Sequence, residues 1–367
     1  MTEHLATWSS RRPWPAVAIW LVALVASIAI TATFLGDALS GDEEITSDTE
    51  SRRADDLRFE RLAAERGRPG RGVSEVVVVR SVTATVDEPR FERRVRALAA
   101  ELQREGATGV TSFYDSGERR LVSQDRDATA MLVSLGRDAD DDIEDVVETV
   151  QSADGRDGFD TSITGEFTLD DDFSTLAGED LQNGELGFGL PAALIVLLIV
   201  FGSLVAGLVP LLMAILAITI ALALLALVGQ AFPLSVFATN MLTGMGLALG
   251  IDYSLFGLSR YREERLHGRE RLDAIAVVGA TANRAVLFSG IAFTLAMVGL
   301  LLVPSTIMRS LAAGAIAAGL VSVAAALTLL PALLSLLGDR VNALRIPFSG
   351  AARGASRVRS GRARCER

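Results

Sequence analysis

Apolar residues are concentrated at the two ends of the chain, on either side of a long polar block. Residues 14–36, WPAVAIWLVALVASIAITATFLG, are uncharged and supply about the 20 residues a helix needs to cross a bilayer. Arg11 and Arg12 precede this run as in a signal peptide, but it is longer than a signal core and no small-residue cleavage pattern ends it. An uncleaved first span is expected, with residues 1–13 in the cytoplasm by the positive-inside rule. Leu186 to Val228 is again free of charge and too long for one span. Phe201-Gly202-Ser203 and Pro210 mark a tight cytoplasmic turn that divides it into spans at 188–206 and 209–228. The loop 229–233 is then outside. Further spans are expected at 235–258, 285–303 and 311–337, the last broken near its end by Pro331. Transmembrane helices 2–6 thus occupy residues 187–338. Residues 260–280 between the fourth and fifth read as a cytoplasmic amphipathic helix.

The polar block, residues 37–186, cannot lie in a membrane. Residues 37–72 are a charged, Gly/Arg-rich linker with room for one helix. An ordered pattern follows over 73–165. Val73 to Val79 is a β-branched run and predicts a strand. Glu88 to Gln103 sets Phe91, Val95, Leu98 and Leu102 at helical spacing, with Asp87 as N-cap. Strands are expected at 108–113, 130–135 and 159–164, and a helix at 140–150. The order βαββαβ is that of a ferredoxin-like unit, with its helices on one face of an antiparallel sheet. Residues 166–186 return to the membrane as a polar helical stem. The fold class is therefore an α-helical membrane protein of six transmembrane helices with an extracytoplasmic α+β ferredoxin-like domain.

Charge sharpens this topology. From Asp37 to Glu185 there are 37 acidic and 18 basic residues, against 8 and 17 in the rest of the chain. An acidic block with basic flanks is what opposite sides of a membrane produce. All 35 basic residues are arginine, which reads as GC-rich coding and not as a nucleic-acid site. The arginine-rich tail, 339–367, has no apolar period and reads as a disordered cytoplasmic segment. Cys365 is the single cysteine, which excludes an internal disulfide or a cysteine-cluster metal site. The run Asp140, Asp141, Asp142, Glu144, Asp145 lacks the glycine and spacing of a calcium loop and reads as a solvated first helical turn. His4 and His267 stand without a nucleophile motif or a phosphate-binding glycine loop, so no catalytic site, metal or cofactor is expected.

One stretch carries chemistry: GMGLALGIDYSLFGLSRYREE, residues 244–264. Apart from the acids of the polar loop just after it, Asp252 is the only carboxylate between Glu185 and Asp339. A charge within a span costs on the order of 2.5–3.5 kcal/mol to insert and usually has a function; the bland alternative is a carboxylate paired with a neighbouring helix or wet at the interface. Ala248, Asp252 and Phe256 lie four apart on one helix face. Gly246 and Gly250 form a GxxxG pair that admits another helix closely, which packing alone explains. A desolvated Asp252 would have its pKa raised toward neutrality, and Tyr253 can donate a hydroxyl to a carboxylate.

Four strings resemble the MMPL branch of the resistance–nodulation–division superfamily: FGSLVAGLVPLL (201–212), GLALGIDYSLFGLSRYREE (246–264), NRAVLFSG (283–290) and LTLLPALLSLLGDRV (327–341). One span, a large outer domain and five clustered spans is that superfamily's half-unit. The resemblance implies proton-driven outward movement of lipids or amphiphiles, a proton relay of Asp252 and Tyr253, and an outer porter domain that receives cargo. It also implies that Ser289 lies near the Asp–Tyr pair, although helix packing by a small polar residue explains Ser289 equally well. Typical members join two such halves in one chain. A homodimer or a second half-unit is thus the expected partner, or the chain is an incomplete half of a longer transporter. A non-transporting lipid sensor, or an accessory of protein translocation like the Sec accessory proteins D and F, shares the architecture.

Overall fold

In a computed structural model, residues 1–40, 49, 50, 53, 74–135 and 139–344 are described. The chain divides into two compact units, Ser47–Leu176 and the remainder, Met1–Thr46 with Ala177–Arg367. Most of the expected linker and the tail from residue 345 lie outside the described residues.

The membrane unit begins with α1 (Thr2–Arg11) and α2 (Pro13–Ala38). Residues 1–13 gave no helical expectation, yet α1 packs against a later helix through Thr2, Ala6, Ser9 and Ser10.

The other unit holds β1 (Glu75–Ser81), α3 (Pro89–Arg104), β2 (Gly109–Thr111), β3 (Ala128–Ser134), α4 (Ala139–Ala153) and β4 (Phe159–Gly165). The sheet order is β2-β3-β1-β4 and every neighbouring pair is antiparallel. Val77 pairs with Met131 on one side and Ile163 on the other. Alternate strand residues Val77, Val79, Met131 and Val133 face the helical stripe Phe91, Val95, Leu98, Leu102, and together they form the core. Asp87 does not cap α3: Glu88 takes the N-cap position and Asp87 turns to Arg126, with Nε 2.6 Å from its Oδ2. Expected strand 108–113 shortens to three residues because Ser112 starts a helical turn, Phe113–Ser116, with its own capping box.

α5 (Glu166–Glu179) carries the chain toward the membrane unit, followed by a π-helical stretch, Asp180–Gly189, and α6 (Leu190–Phe201). Gly202 adopts left-handed geometry (φ 63°) and ends α6. Ser203 then caps α7 (Leu204–Gly229). Pro210, expected at this turn, lies inside α7 instead. α8 (Phe237–Leu266) is longer than the span expected at 235–258. The amphipathic helix expected at 260–280 is accordingly two pieces: its first residues continue α8, Gly268 turns the chain at φ 86°, and α9 (Arg271–Ala280) follows. α10 (Ala282–Leu300) and α11 (Thr306–Ala324) complete the bundle with α12 (Leu330–Leu337). Pro331 does not break the last span. A π-turn at Ala325–Leu329 precedes it, and Pro331 follows inside the continuous helix Thr306–Asn342, the widened turn accommodating its missing N–H.

Among the described residues, six helices are long and apolar enough to cross a membrane: Pro13–Gly36, Glu166–Phe201, Leu204–Gly229, Phe237–Leu266, Arg271–Leu300 and Thr306–Asn342. α8 packs between α7 and α11, α2 lies on α7, and α10 lies on α11. At the arginine-rich end of α8, Glu264 is buried between Arg260 (2.7 Å) and Arg269 (2.6 Å). Arg262 donates to Phe201 O at 3.1 Å and lies over that ring.

Candidate functional site

α8 is a helix with two contrasting faces. Gly246 and Gly250 face α7: a Cβ on Gly246 would stand 2.6 Å from Ile218 Cγ1, and one on Gly250 2.6 Å from Ala214 Cα. These contacts bring the two backbones together. Tyr253 continues this buried face at 6% exposure and packs with Leu249, Val286, Val323 and Ala326. Its hydroxyl is buried without a hydrogen-bond partner among the described residues. Ser254, next to it, spends its hydroxyl on Gly250 O at 2.6 Å.

The opposite face is open. Ala248, Asp252, Phe256 and Ser259 are all exposed, Phe256 at 59%. Asp252 thus stands in an apolar stripe of a span-length helix, and no described side chain of this chain pairs with it. Phe256, expected to pack near the site, projects from the bundle instead. Ser289 is likewise exposed on α10. The α10 residues that face Tyr253 are Val286 and the neighbour of Ser289, Gly290, whose Cβ position lies 3.8 Å from the tyrosine Oη. The structure therefore brings Tyr253 against α10 and α11 and leaves Asp252 and Ser289 on open surface.

Two features were missed by sequence reasoning. Glu185, assigned to the polar stem, is half-buried and turned onto α8, where its Oε1 lies 3.1 Å from the position a Cβ on Gly244 would take. Glu75, read as part of a strand, is fully buried and accepts from Phe167 N at 3.0 Å, Thr168 N at 3.3 Å and the Thr168 hydroxyl. A single polar residue in an otherwise apolar or charged run carries no signal of which neighbour it will meet.

Electrostatic shifts outside the spans belong to the sheet unit. Arg126 hydrogen-bonds Asp87 and holds its carboxyl below the usual 3.8. The Ser123 hydroxyl, with Arg80, lowers Asp127 in the same way. Burial, with Glu92 and Asp87 nearby, pushes the Tyr114 phenol up to about 12.

The profile of the MMPL family matches residues 54–357. A membrane protein of Streptomyces coelicolor is 34% identical over 351 residues, covering 93% of this chain and 47% of that protein. The heme uptake protein MmpL11 of Mycobacterium tuberculosis is 31% identical over 333 residues, 88% of this chain and 33% of its own length. The trehalose monomycolate exporter MmpL3 of Mycolicibacterium smegmatis is 33% identical over 235 residues, 62% of this chain and 23% of its own. The chain thus spans less than half the length of these relatives. The MMPL profile over most of the chain, with six span-length helices beneath it, identifies a multi-pass membrane protein that belongs to the MMPL family of the resistance–nodulation–division transporters.

Proposed function

We propose that this chain is a half-unit of a proton-driven exporter of lipids or other amphiphiles, with Asp252 as the residue that takes up and releases the proton. The observation that carries the reading is the position of Asp252: a carboxylate midway along a span-length apolar helix, exposed on a face that the described residues leave uncovered. Such a group is too costly in lipid to stay ionised and unpaired. It is either protonated or met by a second half-unit, supplied by a second copy or by a longer chain. Tyr253, one residue on, has a buried hydroxyl without a hydrogen-bond partner among the described residues, and Ser289 on the exposed side of α10 is a third relay group.

In this reading the N-terminus and the basic tail are cytoplasmic and the sheet unit is the outer porter domain. Its antiparallel order β2-β3-β1-β4, with α3 and α4 in one core, supports a ferredoxin-like porter fold. The name of MmpL3 as a trehalose monomycolate exporter supports lipid cargo. The name of MmpL11 as a heme uptake protein favours a second reading, uptake of a planar amphiphile through the same half-unit. The test is reconstitution of the chain in liposomes with a fluorescent phospholipid and an imposed pH gradient. Wild type is expected to move the lipid and Asp252→Asn to abolish movement. Equal movement by both proteins would sink the role of Asp252. A folded wild type that moves neither lipid nor heme would favour a sensor or accessory role.

A further inference from the structure

Glu185 is the last carboxylate along the span-length helix Glu166–Phe201, and its surroundings differ from those of its neighbours. Leu186 and Phe188 are exposed at 56% and 76%, as lipid-facing residues are, while Glu185 is half-buried against α8. One of its oxygens, Oε1, lies 3.1 Å from the position a Cβ on Gly244 would take, so this contact depends on a glycine there. Thr243, the residue before Gly244, presents its hydroxyl within reach of the carboxyl. The helix is in π form from Asp180 to Gly189, a local widening that recurs at functional sites. The charged group acting on Glu185 from its own helix is Asp180. From α8 no charged residue precedes Asp252, since residues 237–251 are all uncharged.

The Thr243 hydroxyl also lies 2.8 Å from Thr239 O and 3.0 Å from Asn240 O. It can therefore serve both forms of the carboxyl. With Glu185 ionised, the hydroxyl donates to it. With Glu185 protonated, the acid donates to the hydroxyl oxygen and Thr243 donates back to its own helix. Gly244, Ala248 and Asp252 follow at intervals of four and form one stripe of α8. Gly244 to Asp252 spans about 12 Å at the rise of an α-helix. Only a hydrogen and a methyl group stand on the stripe between the two carboxylates.

We propose that Glu185 is the outer proton-loading carboxylate of this half-unit. It takes a proton from the outer water, becomes neutral, and passes that proton to the Asp252 carboxylate through water held between the Gly244–Ala248 stripe and the second half-unit that covers it. Glu185 is then ionised again. The proposal rests on Asp252 titrating as read under Proposed function.

Dicyclohexylcarbodiimide, which modifies protonated carboxyls in apolar surroundings, tests it without knowledge of the cargo. The full chain is labelled in right-side-out vesicles with a buffered interior, and the two carboxylates are read on separate peptides by mass spectrometry. Glu185 is expected to be modified at neutral outer pH, falling about tenfold per unit as outer pH alone is raised above its midpoint. Thr243→Val, which removes the donor to the ionised form, is expected to increase Glu185 modification at neutral pH; a purely structural glutamate would not respond. If Glu185 is unmodified at neutral pH while Asp252 is modified, the loader is overturned and the reading of Asp252 stands. If Asp252 is unmodified at every pH, that reading fails and the route from Glu185 fails with it.

Discussion

Glu75 in the sheet unit and Asp252 in the membrane unit are both carboxylates in unexpected surroundings, and they have opposite solutions. Glu75 has no exposed surface, and its oxygens are occupied by two backbone amides and a hydroxyl at the start of α5. It satisfies donors that a helix N-terminus leaves open. Gly165 makes room for it, since a Cβ there would collide with the carboxylate. Asp252 is exposed on an apolar face, without a described partner. A buried carboxyl with its acceptors filled is part of the fold, whereas an open carboxylate on an uncovered apolar stripe costs stability in lipid unless a proton or a partner meets it. The first is expected to matter for folding and the second for transport.

Substitutions can break or sharpen this contrast. The largest effect is expected at the packed face of α8. Gly250→Leu forces side-chain atoms into the Ala214 backbone and should destabilise the membrane unit by about 1–3 kcal/mol or more. Loss of monodisperse elution in detergent and a lowered thermal midpoint would register it. Gly246→Ala meets the Ile218 side chain, which can move, and should cost less. In the sheet unit, Glu75→Ala strands the buried N–H groups of Phe167 and Thr168, an expected loss of about 1–3 kcal/mol. Hydrogen exchange of the β1 and β4 amides should rise together; unchanged protection would remove Glu75 from the structural side of the comparison.

A smaller effect is expected from acid. Asp87 and Asp127 are held below the usual carboxylate value in the folded chain. Their contribution to stability is therefore present above about pH 4 and is lost as pH falls through their lowered folded values. Asp87 is exposed and Asp127 is half-buried at the surface, so the change is modest. The fall in sheet-unit protection on acidification should be shallower in an Asp87→Asn, Asp127→Asn double variant than in wild type.

The spans were legible because charge-free runs of bilayer length have few alternatives, and the sheet because β-branched runs and the Phe91–Leu102 period alternate cleanly. Helix faces in the membrane unit were not. A helix apolar on all sides has no period to read, so the exposure of Ser289 and the inward turn of Gly290 depend on neighbours, and one residue rotates a helix by about 100°. The stripe Ala248–Asp252–Phe256 was legible as a stripe, but its outward orientation was not. Pro331 and Pro210 were read as breaks because local sequence does not reveal that a π-turn precedes one and that the other sits inside a packed helix. Glu185 went unnoticed for the same reason: its partners Thr243 and Gly244 lie on another helix.

The measurement that bears most directly on the account is Asp252→Asn assayed for stability and transport on the same preparation. Asparagine keeps the shape and removes the charge, so the thermal midpoint should stay unchanged or rise while pH-driven lipid movement is lost. A variant that loses stability and transport in parallel, or that keeps both, would contradict the assignment of Asp252 to function.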